Sequence, residues 1–567
     1  MSDADTPMSA ADAVPSTWTT GTTEGIKTGT WRAALPKHIR APSPCHAACP
    51  VNGDIAEWIG RARARDFRGA WEILTRHNPF PAISGRICHH PCETACNRSG
   101  YDERLAICRL ERYVGDQALA QGWRFVSGDL TRGARIGIVG GGPSGLSAAF
   151  HLRRLGYAVT LFESRPELGG VMRYGIPPYR LARSVLDGEI ARITALGIDV
   201  RCGESIETQE DFARLRADFD AVYLAMGARR PKRMPTLDYT KRWILDGTDY
   251  LARASMGVPP ALGKRVIVIG GGSAAIDVAR TARRAGHEVT ILALESRSQM
   301  PAQREEVAEA IEEGIGLIDG AMLTAAHATH DGHLACAGVR VRFEAGPARG
   351  RFSVAALPDT QFGFDADAIV TSIGQDPDLG HLASLLDTDG ALLDVDRSQA
   401  TSVEGVYAGG DVTSMARFVT EAIGMGKRAA REIDRMLRRR AHDAGHCEMP
   451  TIGGRNDEPL VELAAINTFY YPERARALER RLEAAERLAR DVEVQVGFDV
   501  EQALAESARC FSCGTCIECD NCVVYCPDLA VQRAPGGYVV LSDYCKGCGL
   551  CVKECPTGSM TMVDEAR

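Results

Sequence analysis

Nowhere in the chain does an apolar run reach the roughly 18 residues that a spanning helix needs, so no membrane segment is expected. The opening residues, MSDADTPMSAADAV, lack the basic and apolar regions of a signal peptide, and a cytoplasmic protein is expected. Basic charge is not in excess: 66 Lys and Arg face 74 Asp and Glu, a formal net charge of -8. That balance and the lack of a helix-turn-helix pattern count against nucleic acid as the main partner. The Arg-rich runs Arg438–Arg440 and Arg474–Arg490 lie among Glu, Ala and Leu and read as solvated helix faces. The composition, 45% hydrophobic and 25% charged, is ordinary for globular protein, and 567 residues suggest roughly three to five domains.

Cysteine is not scarce, at 19 residues, but in a cytosolic chain it does not read as a disulfide framework. Cys202, Cys336 and Cys447 are scattered and need no role; the others fall in two groups, one towards each end. Such groups point to metal–sulfur ligation. From Cys516 the spacing is C-x2-C-x2-C-x3-C-P (Cys516, Cys519, Cys522, Cys526, Pro527), and it returns at Cys545, Cys548, Cys551, Cys555 and Pro556. This is the bacterial ferredoxin signature for two [4Fe–4S] clusters, in which the fourth cysteine of each run serves the other cluster. Cys516, Cys519, Cys522 and Cys555 should hold one, and Cys545, Cys548, Cys551 and Cys526 the other. Paired zinc sites, the alternative, rarely show the third C-x2-C step. Cys510 and Cys513, in ARCFSCG just upstream, are surplus to this signature.

Between the two cysteine groups stand two strand–turn–helix–strand openings, ARIGIVGGGPSGLSAAFHLRRLGYAVTLFES and KRVIVIGGGSAAIDVARTARRAGHEVTILALES. Each places a glycine-rich turn at a helix N-terminus, where backbone can approach a pyrophosphate. In the first, Gly140, Gly142 and Gly145 fill the motif and Glu163 ends the second strand, placed for an adenosine ribose. In the second, Gly270 and Gly272 do so, with Ala275 at the third position. A decayed second copy is the alternative, which two intact loops disfavour. The order suggests FAD first and a nicotinamide second. Glu295 lies where an acid binds the ribose 2′-OH and repels a 2′-phosphate, which favours NADH over NADPH; Arg297 would reverse this if it turned inward. Ile55, Trp58, Ile59, Phe67, Trp71 and Leu74 recur at helical spacing, and residues 472–507 are helical in character.

Six stretches carry a family resemblance: CPVNGDIAEW, GRICHHPCETAC, VGGGPSGLSAA, GGVMRYGIPPYRL, VIGGGSAAIDVA and GVYAGGDV. Over about residues 41–440 the chain is similar to the small subunit of bacterial glutamate synthase and its relatives, FAD/NAD(P) iron–sulfur oxidoreductases. With its ferredoxin end it resembles the flavoprotein partners of dissimilatory sulfite reductase and of 2-oxoacid:acceptor oxidoreductases. The resemblance implies FAD between a nicotinamide face and an iron–sulfur face. It implies that Pro143, Ser144, Gly170 and Val171 line the flavin, with Asp411 at its ribityl–pyrophosphate region and the 418–430 segment nearby. It also implies that Ser273 belongs to the nicotinamide loop and that Asp277 lies near the nicotinamide.

The chain departs from the family twice. Leu294 and Glu295 stand where NADPH-specific members usually carry two arginines, in agreement with NADH. The early R-C-x2-C pair is missing, with Lys37 and Arg40 in its region, although Cys45 and Cys49 remain. The resemblance implies that Cys49, Cys88 and Cys92 share a cluster, with Glu111 or its neighbourhood supplying a fourth ligand; Cys108 is a further candidate thiol. Cys45 and Cys96 would belong to another cluster whose first two ligands are absent. One N-terminal cluster is expected, and a second only with ligands from elsewhere. Cys510 and Cys513 repeat the lost wording and could complete it; a vestige, a free pair or a separate metal site are the alternatives. His89 and His90 read as structural or potential-tuning.

The expected fold is α/β, with two Rossmann-like domains, the nicotinamide domain inserted in the FAD domain, a helical iron–sulfur domain and a ferredoxin-like α+β domain. The expected order is a flexible arm at 1–40, the helical iron–sulfur domain at 41–130 and the FAD domain at 131–258 and 376–440. The nicotinamide domain is expected at 259–375, a helical linker at 441–509 and the ferredoxin at 510–567. The expected function is electron transfer between NAD(H) and a ferredoxin or partner subunit through FAD and [4Fe–4S] clusters. The alternative is an NADPH-dependent glutamate synthase small subunit feeding an amidotransferase partner.

Overall fold

The runs that precede the two glycine-rich turns, RIGIV and RVIVI, form the middle strands of two five-stranded sheets in a computed structural model. The described residues are 27, 29, 32–126, 129–130, 132–330, 333–347, 351–441, 459–489 and 492–565. Cys447 and most of the expected arm lie outside them. The chain divides into two compact units: a larger one, Pro44–Asp457 with Arg474–Cys510, and a smaller one, Met1–Ser43 with Glu458–Glu473 and Phe511–Arg567.

In the larger unit the first sheet runs in the order Val406–Ala408, Ala221–Leu224, Arg135–Val139, Ala158–Glu163, Asp199–Cys202, every neighbouring pair parallel. A parallel sheet is covered on both faces, so its strands read as continuous apolar runs. Ile136, Ile138, Leu161 and Tyr223 are fully buried in it. The second sheet repeats the plan in the order Gly316–Ile318, Glu288–Leu292, Arg265–Ile269, Ala368–Thr371, Ile244–Asp246, again parallel.

The chain leaves the first sheet after Leu224 and returns to it at Val406, so the second sheet is an insertion. The two crossings pair with each other, Arg230–Pro231 antiparallel to Gln375–Asp376. The insertion begins before the expected residue 259, because Ile244–Asp246 supplies its edge strand and Gly247–Ser255 a covering helix. It also carries an unexpected antiparallel sheet of Ala321–Ala328, Leu334–Ala345 and Phe352–Ala366. Leu323, Leu334 and Cys336 of this sheet share a core with Ile267, Ile269 and Ile369.

Ahead of the first sheet lie the helices Pro44–Ala48, Ile55–Arg63, Phe67–Leu74, Pro81–Ile87, Pro91–Thr94 and Ile107–Ala120. Trp58, Ile59, Trp71 and Leu74, the residues at helical spacing, are buried in one core, and Phe67 packs on it. The helices Pro81–Ile87 and Ile107–Ala120 meet backbone to backbone: a Cβ on Gly85 would stand 2.3 Å from the Arg112 Cα, and one on Gly115 2.3 Å from the Ala82 nitrogen.

Among its described residues, the expected helical linker at 441–509 is mostly not helical. Among the described residues between 474 and 510, only Ala484–Ala489 and Val500–Ser507 are helices. Tertiary pairing wins over helix propensity: Glu479 meets Arg109 at 2.6 Å, Glu493 meets Arg86 at 2.7 Å, and Val494 donates to the Tyr179 carbonyl at 2.9 Å. Residues 459–473 belong instead to the smaller unit.

In the smaller unit the hairpin Val531–Ala534/Gly537–Val540 and the short helices Asn521–Val524 and Leu550–Lys553 surround a core that includes Cys522, Cys551, Cys555 and Met560. The arm is corrected here: Ala34–His38 is a strand, antiparallel to Met560–Asp564. An otherwise open edge next to a cluster loop is thereby paired.

Candidate functional site: a shared dinucleotide cavity and its iron–sulfur neighbours

The first turn follows directly from its strand. Gly140 takes φ +109°, and a Cβ there would stand 2.4 Å from the Ala225 carbonyl oxygen, so only glycine fits. At Gly142 a Cβ would meet nothing nearer than the Gly170 Cα, at 3.9 Å, which leaves its outer side open to a ligand. The helix Pro143–Arg154 starts there. Gly145 lies behind the turn, where a Cβ would come within 1.9 Å of the Gly140 oxygen. Glu163 ends its strand buried, its carboxylate accepting from Gly141 N–H at 2.7 Å and from Arg165 N–H at 2.9 Å. The acid thus shapes the turn while its other edge faces the cavity.

The second turn has the same construction. Gly270 takes φ +138°, with the Ser372 carbonyl oxygen 2.3 Å from a would-be Cβ, and at Gly272 a Cβ would meet nothing within 4 Å. The helix Ser273–Arg284 begins at this point, and Ala275 is buried behind the turn. Glu295 presses on the turn: a Cβ on Gly271 would lie 2.5 Å from its Oε2. Burial raises the Glu295 carboxyl above its ordinary pKa. Arg297 is exposed, does not line the cavity, and gives its backbone N–H to Asp319 at 2.8 Å.

Both turns open into one cavity of about 1470 Å³. A single small-molecule site takes roughly 300–1,000 Å³, so the space suits two dinucleotides. Gly140, Gly142, Pro143, Ser144, Glu163, Gly170, Val171 and Asp411 line it on one side, and Gly270, Gly272, Ser273, Asp277 and Glu295 on the other. Burial raises the Asp411 carboxyl, against the pull of Arg417. Asp277 is pushed up to about 6 by burial, in spite of Arg180, whose Nη1 donates to it at 2.7 Å. Arg180 also meets Glu306 at 2.5 Å, which ties the loop beside the flavin turn to the inserted domain. Two glycine turns open at helix N-termini, with no protein atom where a pyrophosphate would sit at Gly272, fit FAD and a nicotinamide dinucleotide.

The cysteines fall into groups. Cys88 is pushed up to about 12 by burial first and then by charges that include Cys49, and Cys92 is raised by burial and then by Cys49, Cys88 and Cys45. The half-buried Glu111 side chain, held by Asn78 at 2.8 Å, acts on both Cys49 and Cys88. In the smaller unit Cys522 is pushed up to about 12 by burial and then by Cys519, Cys555 and Cys516. Cys551 is pushed up to about 11 by burial and then by Cys545, Cys526 and Cys548. The structure therefore brings Cys555 to the first run and Cys526 to the second. Backbone N–H groups point at Sγ of Cys88, Cys516 and Cys545 at 3.4 Å, and of Cys526 and Cys555 at 3.3 Å. Thiols crowded in fours and facing N–H donors suit anionic clusters, which neutralise and use both features. Among the described residues no three Cys, His, Asp or Glu side chains converge as they would on a single ion, and a cubane holds its ligands further apart than one ion does.

Within the 418–430 segment, expected near the flavin, individual side chains now have partners that the sequence did not assign. Phe418 lines the cavity and stacks on His89, ring centroids 3.8 Å apart, while Thr420 Oγ1 stands 3.6 Å from Cys88 Sγ. Ile87, the residue before Cys88, lines the cavity as well. Lys427 is fully buried, donating to the Val51 carbonyl at 2.9 Å and lying 2.6 Å from His77 Nδ1. Its spacing from Ile423 and Ala430 places it on the apolar face of the Val419–Arg440 helix, a signal that the sequence held. Cys108 is buried with its Sγ 3.5 Å from the Ser84 oxygen. Cys510 packs on the same core as Cys45 and Cys96, whereas Cys513 belongs to the smaller unit.

No helix among the described residues is long and apolar enough to cross a membrane. Residues 134–426 match the family model Pyridine nucleotide-disulphide oxidoreductase, residues 40–123 match Dihydropyrimidine dehydrogenase domain II, 4Fe-4S cluster, and residues 538–561 match 4Fe-4S binding domain. The chain is 34% identical over 506 residues to the NADP(+)-dependent formate dehydrogenase subunit beta of Moorella thermoacetica, covering 83% of this chain and 70% of that protein. It is 32% identical to the NADPH-Fe(3+) oxidoreductase subunit beta of Geobacter sulfurreducens, covering 83% of this chain and 75% of that one. It is 31% identical to the NAD-dependent dihydropyrimidine dehydrogenase subunit PreT homolog of Salmonella typhi, covering 70% of this chain and 91% of that one. The chain belongs to the pyridine nucleotide-disulphide oxidoreductase family and, within it, to the FAD/NAD(P) iron–sulfur oxidoreductases related to the glutamate synthase small subunit.

Proposed function

We propose that the chain is the NADH-oxidising or NAD-reducing subunit of a larger redox assembly, passing electrons between the nicotinamide and a ferredoxin or partner subunit. The observation that carries this reading is the single cavity shared by the two glycine turns, whose lining includes Ile87, the residue before Cys88. Bound FAD would supply the conversion between a hydride, two electrons at once, and the single electrons that clusters carry.

The residues divide the remaining work. Gly140, Gly142 and the Pro143–Arg154 helix end would seat the flavin pyrophosphate, with Glu163 at the ribose and Asp411 at the ribityl chain. Gly270, Gly272 and Ser273 would seat the second pyrophosphate. Asp277, held by Arg180, would position the nicotinamide ring from the floor of the inserted domain. Phe418 and His89 would keep water out of the gap between flavin and cluster. Cys49, Cys88 and Cys92, with Glu111, would hold the nearer cluster, and the two crossed sets in the ferredoxin unit would hold two more.

Glu295 carries the preference for NADH. Its carboxylate sits at the turn where an adenosine ribose would lie, and it would accept from the 2′-OH and repel a 2′-phosphate. The relatives divide on this point, two named for NADP(H) and one for NAD. Glu295→Ala should therefore narrow the ratio of kcat/KM for NADH over NADPH by about tenfold or more, the effect of removing about 1.4 kcal/mol of discrimination. An unchanged ratio would place the selectivity elsewhere.

Anaerobic titration of the flavin absorbance tests the whole reading. NADH should bleach the band at near-stoichiometric amounts. If excess NADH and NADPH both left the flavin oxidised while dithionite reduced it, the reading would fail.

A further inference from the structure

We infer that Cys510 joins Cys45 and Cys96 as a thiolate ligand of a second iron–sulfur cluster in the larger unit. This deepens the iron–sulfur reading above and rests on it. The chain has lost the R-C-x2-C pair expected near Lys37 and Arg40, and it carries that wording only at Arg509–Cys513.

The structure folds the 500–510 segment onto the helical region that holds Cys45 and Cys96. Glu506 is fully buried, and its two carboxylate oxygens accept from Ala106 N–H at 2.8 Å and Ala477 N–H at 2.9 Å. Arg509, also buried, pairs with Glu506 at 2.7 Å and with Asp102 at 3.1 Å. Arg98 closes the arrangement, its Nη1 donating to the Arg509 carbonyl at 2.8 Å. Taking these charges out of water costs several kcal/mol each before pairing, so a well-packed apolar contact would serve adhesion as well. A network of this kind is better suited to setting a position, and the residue it positions is Cys510.

Arg98 follows Cys96 by two residues and Arg509 precedes Cys510 by one, so their hydrogen bond ties the two cysteine-bearing backbones together. The Pro44–Ala48 helix, which carries Cys45, packs against the Pro91–Thr94 helix that leads into Cys96. Cys45, Cys96 and Cys510 all pack on the core that contains Trp58, Cys92, Leu105 and Ala503.

Iron and labile sulfide per flavin, with low-temperature EPR of the dithionite-reduced full chain, test the inference. Cys510→Ser and Cys96→Ser should each lose about four iron atoms and the same EPR component, the content of one cubane. Both should keep their flavin and its bleaching by NADH. Cys510→Asp should retain iron with that component shifted, a change that a merely structural residue would not produce. Cys336→Ser, in a distant core, should match the parent. Equal iron in Cys510→Ser and the parent overturns the inference, as does iron loss in Cys510→Ser that Cys96→Ser does not share. Should Cys510→Ser fail to fold, Cys96→Ser and Cys510→Asp still decide, because an unshifted spectrum in the aspartate variant also overturns it. Failure of NADH to bleach the parent flavin would speak against the proposed function and leave the iron count readable.

Discussion

Gly272→Val should give a chain that folds, takes up its flavin and no longer responds to NADH. The outcome depends on where the added atoms go. At Gly272 a Cβ would find no protein atom within 4 Å, so the side chain would project into the cavity and not into the core. The backbone there is at φ -89° and ψ 166°, which valine adopts readily. The protein's own cost is a poorer N-cap for the Ser273–Arg284 helix, about 1 kcal/mol or less. A pyrophosphate approaching that helix end would meet the valine methyl groups in place of open space. NADH affinity should fall at least about 100-fold, or about 2.8 kcal/mol. Anaerobic titration with NADH, run beside a thermal melt and a dithionite control, reads all three quantities. If NADH bleached the variant at the same concentration as the parent, the second glycine turn would not be a nucleotide seat.

The parts of this molecule that could be read from sequence are those whose physics is local. A parallel strand followed by a tight turn needs β-branched residues and then glycine within a few positions, and RIGIV–Gly140 and RVIVI–Gly270 meet that need. A cubane loop needs thiols at fixed short spacing, which the runs from Cys516 and Cys545 provide. What stayed hidden is built between distant positions. Arg180 and Asp277 meet across 97 residues, and Glu506 reaches Ala106 across 400. No window of sequence contains either pair. The same cause explains the 474–510 region, whose Ala, Arg, Glu and Leu favour helix when read alone. Its glutamates are instead drawn to Arg86, Arg109 and Arg112, and the backbone follows them. The strand at Ala34–His38 was hidden because its partner, Met560–Asp564, lies at the other end of the chain. The antiparallel sheet at 321–366 is a different case, since Leu334–Ala345 alternates in burial and that period was open to reading.

Gly426→Val should act in the opposite way to Gly272→Val, lowering stability and releasing the flavin. Gly426 lies within the Val419–Arg440 helix, where that helix crosses the Pro143–Arg154 helix behind the first glycine turn. A Cβ at Gly426 would stand 2.2 Å from the Ser144 carbonyl oxygen and 3.0 Å from the Ala148 nitrogen, both backbone atoms that cannot rotate away. The crossing is held from both sides: Ser147 Oγ donates to the Ile423 carbonyl at 2.8 Å, and Tyr157 OH donates to Asp434 at 2.8 Å. To admit a valine the two helices must separate, and overpacking of this kind costs about 3 kcal/mol or more. Separation moves Ser144 and the start of the flavin-facing helix, so the loss should appear as free flavin as well as a lower Tm. Two residues earlier and on the other face of the helix, a Cβ on Gly424 would stand 2.3 Å from the carbonyl oxygen of Pro50, the residue after Cys49. The same helix therefore sets the distance from the flavin turn on one face and from the cysteine loop on the other. Flavin fluorescence in the flow-through of a desalting column, measured with calorimetric Tm, checks the prediction. A Gly426→Val chain with parental Tm and full flavin would mean that this helix does not set the gap across which electrons leave the cavity.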